Sequence, residues 1–80
     1  MNSIILNPKA FGTAVKVHRT AIGASLKDIA DILQVDKSTL SRIENGKRGA
    51  MNCGTFISLS VWLDLSVPDM LSLGLLDTIP

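Results

Sequence analysis

Two short apolar stripes of helical period lie almost end to end in this chain, and they restrict its fold more than any other feature. Leu26, Ile29, Ala30 and Leu33 recur at three- and four-residue steps. The pattern breaks at Gln34-Val35-Asp36, and Leu40 and Ile43 then resume it. The spacing predicts helices over residues 25–34 and 36–45, joined by a turn of very few residues. Helices joined so tightly cross at a steep angle, and the second stands out from the body of the domain. Ala30 is small where the pair must approach closely, and Val35 is apolar inside the turn.

Local signals place three more helices around this pair. Asn7-Pro8 reads as a cap followed by proline at the first helical position, with Phe11, Ala14, Val15 and His18 on one face and Gly23 as the stop. Ser25 with Asp28 has the spacing of a capping box, Asp36 can cap the next helix, and Asn45-Gly46 stops it. Asn52 and Thr55 suit the start of a fourth helix that turns Phe56, Leu59 or Ser60, and Leu63 inward. Ser66-Val67-Pro68-Asp69 opens a short fifth. The expectation is five helices and no sheet. Residues 1–7 form a loose arm, 8–73 the domain, and 74–80 an apolar tail.

A chain of 80 residues holds one small domain with little stability to spare. Hydrophobic residues at 46% and charged residues at 19% exclude an intrinsically disordered chain. The longest stretch without charge, Gly49 to Leu63, falls short of the roughly 18 apolar residues a membrane span needs. The N-terminus lacks the positive region of a secretory signal, so the expected location is cytoplasmic, with no membrane partner. Cys53 is the single cysteine and no metal-ligand spacing accompanies it; no metal and no cofactor is expected. No nucleophile–base pair, carboxylate pair or glycine-rich phosphate loop stands out, and catalytic residues are therefore not assigned. His18 reads as a packed histidine, and Lys9, Lys16 and Arg19 as surface charges of the first helix.

The net charge of +1 hides an asymmetry. All eight Lys and Arg lie between Lys9 and Arg48, against four acids there, a balance of +4. Residues 49–80 contain only Asp64, Asp69 and Asp77, a balance of −3. The first half is suited to face a polyanion. Once Leu40 and Ile43 are turned inward, Lys37, Ser38, Thr39, Ser41, Arg42 and Asn45 remain on the outside of the helix 36–45. Short hydroxyls, an amide and two cations are groups that read base edges and grip phosphates.

The run Ser38-Thr39-Leu40-Ser41-Arg42-Ile43-Glu44-Asn45-Gly46-Lys47-Arg48, within residues 25–48, resembles the helix-turn-helix of the Cro/repressor class, the Xre family. A looser resemblance extends over residues 9–73. It implies an all-α, compact five-helix bundle of the lambda-repressor-like DNA-binding type, with the helix-turn-helix at helices 2 and 3. It further implies that Lys37, Ser38, Thr39 and Ser41 lie toward the bases and that Arg42 reaches bases or phosphate. Asn45, Lys47 and Arg48 would hold the backbone of double-stranded DNA beyond the helix end. Glu44 would support the fold. The sequence departs from the family pattern at Leu26, where glutamine is common and contacts phosphate, leaving Lys27 as the substitute. It departs again at Gln34, where the turn often carries glycine.

The second half is richer in apolar groups than a domain of this size readily hides. Trp62, Leu65, Met70, Leu73, Leu75 and Leu76 are expected at a homodimer contact that pairs two recognition helices on a palindromic operator. The function expected is a sequence-specific repressor of phage or mobile-element type. The alternative is a protein-interaction module on the same scaffold, an antitoxin or antirepressor, with a toxin or other regulator as partner. RNA binding lacks support, because Phe11, Phe56 and Trp62 are the only aromatics and all read as buried.

Overall fold

The computed structural model of the chain describes residues 3–47 and 49–79. Five helices run in order: α1 (Pro8–Ala21), α2 (Leu26–Leu33), α3 (Lys37–Glu44), α4 (Cys53–Leu63) and α5 (Val67–Ser72). Their ends follow the local chemistry of the sequence. The Asn7 side chain accepts from the Ala10 amide, and Asn52 from the Thr55 amide at 2.8 Å. Ser25 with Asp28, and Ser66 with Asp69, each form a reciprocal capping box. Asp36 occupies the N-cap of α3, but its side chain makes no capping bond.

α2 and α4 both end on a left-handed residue that is not glycine: Gln34 at φ 56° and Asp64 at φ 57°. That conformation returns the next amide to the helix, Val35 donating to the Ala30 carbonyl and Leu65 to the Ser60 carbonyl. The turn leading to α3 therefore has the geometry for which glycine is common, and Gln34 bears its strain.

The core gathers one face from every helix. Phe11 and Val15 of α1, Ile29 and Ala30 of α2, Leu40 and Ile43 of α3, Leu59 of α4 and Met70 of α5 are all buried. Phe11 and Phe56 meet with ring centroids 5.5 Å apart, and His18 packs edge-on against Trp62 at 4.7 Å. α3 is held between α1 and α2, while α4 leans on both of those helices from another side.

A sheet is present where none was expected. β1 (Ser3–Leu6) pairs antiparallel with β2 (Leu76–Ile79), Ser3 opposite Ile79 and Leu6 opposite Leu76. Within the segments read as a loose arm and an apolar tail, Ser3–Leu6 and Leu76–Ile79 bind one another. Asn7 extends the closure by donating its amide to the Leu75 carbonyl at 2.9 Å. Leu75 and Leu76 join the core as a result. A two-stranded ribbon is marginal alone in water. Here α5 packs against β2, and the buried Leu76 side chain ties the ribbon to the body.

Candidate nucleic-acid interface

α3 supplies the candidate surface, and its neighbours fix where it points. Leu40 and Ile43 are buried on one side of it. Ser38, Arg42 and Asn45, at i, i+4 and i+7, make the opposite row and are all exposed. Lys37 at the helix start is exposed too, while Thr39 and Ser41 flank the row half-buried. Lys47 is exposed just beyond the helix, and Lys27 is exposed in the first turn of α2. Arg48, expected at phosphate, lies outside the described residues.

Two contacts seat α3 on α1. Gly12 is buried, and a Cβ at this position would collide with the Ile43 carbonyl oxygen and stand 3.0 Å from that of Glu44. Only a hydrogen at this point of α1 allows the backbones to come so close. Nearby, Arg19 donates through Nε to Glu44 Oε2 at 2.7 Å and through Nη2 to Glu44 Oε1 at 3.0 Å. Its Nη1 donates to the Ala24 carbonyl at 3.0 Å. One guanidinium thus joins the end of α1, the α1–α2 turn and the last turn of α3. The side chains are only 13% and 5% exposed, and such a bidentate, partly desolvated pair is far stronger than a solvated one. The Glu44 hydrogen bonds raise the Arg19 pKa above its ordinary value, so the cation persists at any physiological pH.

Arg19 is therefore not a free surface charge. Nothing local in the sequence announces its partner, 25 residues away. The pair is the one ion pair among the described residues. Lys27, Lys37, Arg42 and Lys47 thus stand without a carboxylate partner there. The surface combines uncompensated cations with short hydrogen-bonding side chains on a rigidly seated helix, a chemistry suited to phosphates and base edges.

The residues expected at a dimer contact are dispersed. Met70, Leu75 and Leu76 lie inside the core of the single chain, Leu76 as the inward residue of the terminal ribbon. Trp62 and Leu65 are half-buried. Leu73 alone of this set is exposed.

A protein-family model described as a helix-turn-helix domain matches residues 10–69, from α1 into α5. No curated protein and no solved structure shows significant similarity to the chain. Among the described residues no helix is long and apolar enough to cross a membrane.

Proposed function

The chain belongs to the helix-turn-helix domain family, and on that footing we propose that it is a sequence-specific DNA-binding transcriptional regulator of the Cro/repressor type. α3 enters the major groove of double-stranded DNA. Ser38, Arg42 and Asn45 meet base edges and neighbouring phosphates, and Lys37, Thr39 and Ser41 border that contact. Lys27, Lys47 and Arg48 grip the backbone on either side. The observation that carries this reading is the outer row of α3, cationic and unpaired, on a helix fixed by the Gly12 approach and the Arg19–Glu44 clamp.

Regulation follows from occupancy: a bound copy excludes polymerase or another regulator from the operator, so the sign is repression. The regulator acts as a homodimer on a palindromic site, with recognition helices roughly 34–36 Å apart. Leu73 supplies the dimer contact. It is 62% exposed, and a groove of about 620 Å³ lined by Ala10, Ala14 and Val17 lies beside it.

Selection of bound duplexes from a random pool at physiological salt tests both parts. A palindromic consensus with half-sites one turn apart is the expected result. A single enriched half-site would remove the dimer and keep the DNA function. No enrichment would move the assignment to the protein-interaction alternative. Affinity for the selected site should fall with salt, log K dropping by about 0.9 per phosphate neutralised.

A further inference from the structure

α4 departs from the usual pattern of a surface helix. Its eleven residues, Cys53 to Leu63, contain no charge at all. A helix with no charged face is expected to be largely covered, yet Ile57 is 60% exposed and Val61 75%. These two, at i and i+4, line one wall of an open groove of about 540 Å³. The opposite wall comes from the Ser66–Met70 segment, including the exposed Val67, with Phe56 and Leu65 also lining the groove. The Ser60 hydroxyl, also in the lining, already donates to the Phe56 carbonyl at 2.8 Å.

The charges on this groove are both negative: Asp64 and Asp69 line it, with no Lys or Arg among the lining residues. Asp69 is accounted for by the capping box of α5. Asp64 has no such reason. It caps the C-terminus of α4, where the helix dipole disfavours a carboxylate, in a left-handed conformation that glycine or asparagine would fill without charge. A carboxylate at that end of a helix, with no side-chain hydrogen bond or cation beside it among the described residues, costs stability and leaves its charge free to meet a cation from outside.

We propose that the α4–α5 groove docks an amphipathic helix of a partner protein, its apolar face seated on Ile57, Val61 and Val67 and its flanking Lys or Arg side chains against Asp64 and Asp69. A cleft between two helices suits a helical occupant. The acidic rim repels nucleic acid and anionic lipid. A second copy approaching by twofold symmetry would set the two aspartates of each chain against those of the other. Neither copy has a cation in residues 49–80 to separate them. None of the residues assigned to DNA lines the groove, so this inference stands independently of that assignment.

The test is selection of a displayed helical-peptide library against the whole chain, with apolar residues at i, i+3, i+4 and i+7 and random flanks. Counter-selection on Val61→Lys removes peptides that bind elsewhere. Val61 is largely exposed, so this variant folds. Enrichment of Lys and Arg flanks supports the proposal, as does a roughly threefold loss of their affinity on Asp64→Asn, the scale of one exposed ion pair. Neutral or acidic flanks, or no groove-dependent peptide, would overturn it. Self-association of the chain abolished by Val61→Lys would overturn it in favour of a second copy.

Discussion

The turn from α2 to α3 and the turn from α4 to α5 are near copies of each other. Gln34 (φ 56°, ψ 43°) and Asp64 (φ 57°, ψ 45°) hold the same left-handed conformation. Each is followed by a single apolar residue, Val35 or Leu65, and then by the N-cap of the next helix. The backbone device is the same, but the surfaces it displays are opposite. The first turn presents α3, with Lys37 and Arg42 unpaired by any described carboxylate. The second opens an apolar groove whose charged residues are both aspartates. The backbone of a helix-turn-helix aims a helix. The side chains along its outer row decide whether a polyanion or a protein can meet it.

The first half also differs in how tightly its outer helix is seated. The largest expected effect is therefore that of Gly12→Ala. Alanine normally favours a helix interior over glycine. Here its methyl meets the Ile43 carbonyl at an impossible distance, so the substitution should cost about 2–3 kcal/mol in denaturant unfolding. An unchanged midpoint would show that α1 and α3 separate freely, and the contrast between the halves would lose its basis.

Glu44→Gln removes the carboxylate from Arg19 and should cost about 2 kcal/mol of stability, as for hydrogen bonds to a charged group. DNA affinity should fall with it, although Glu44 is not among the residues assigned to DNA.

Arg42→Ala separates seating from recognition. Stability should stay within about 0.5 kcal/mol of the parent. DNA affinity should fall about tenfold, with preference relaxed at one base position if the guanidinium reads an edge. Titration of labelled duplex measures both. Equal affinity would detach the outer row of α3 from DNA.

The two turns can be compared directly. Gln34→Gly and Asp64→Gly each relieve a left-handed side chain, and each should stabilise by up to about 1 kcal/mol. The gains have different sources: Gln34 sheds mainly left-handed backbone strain, which aspartate tolerates better, whereas Asp64 sheds mainly a charge at the negative end of a helix dipole. A gain at Gln34 alone would mean that Asp64 has a stabilising contact within the chain.

The smallest effect is one of pH, and it belongs to the second half. The Ser66 backbone amide, and after it the Ser66 hydroxyl, hold the Asp69 carboxyl below its ordinary value. A depressed carboxyl stabilises the fold above its unfolded-state pKa, and that contribution is lost as pH falls through the lower folded value. Asp69→Asn should flatten this part of the acid limb in unfolding measured against pH. Carboxyl carbon shifts should show Asp69 titrating below an ordinary aspartate.

Much of the molecule is legible in the sequence because its signals are short in range. A cap acts over three residues and an apolar stripe over three or four, so Ser25, Asn52, Ser66, the five helices and the outer row of α3 could all be read locally. Asp36 shows the limit of such reading: it stands at the N-cap, yet its side chain makes no capping bond. The terminal ribbon was invisible for a different reason. Ile4-Ile5-Leu6 does not alternate, and its partner strand lies at the other end of the chain.

Where the chain turns, which helix carries the cations and hydroxyls, and which half is acidic are all legible locally, because these are properties of neighbours along the backbone. Long-range packing alone pairs Arg19 with Glu44, requires Gly12 to lack a side chain, and places Leu75 and Leu76 in the core of the single chain. Each of these depends on a partner distant in sequence. The apolar content of the second half could not reveal which of its groups would be covered. That was decided when Ser3–Leu6 paired with Leu76–Ile79, burying Leu76 while Ile57, Val61 and Leu73 stayed open to solvent.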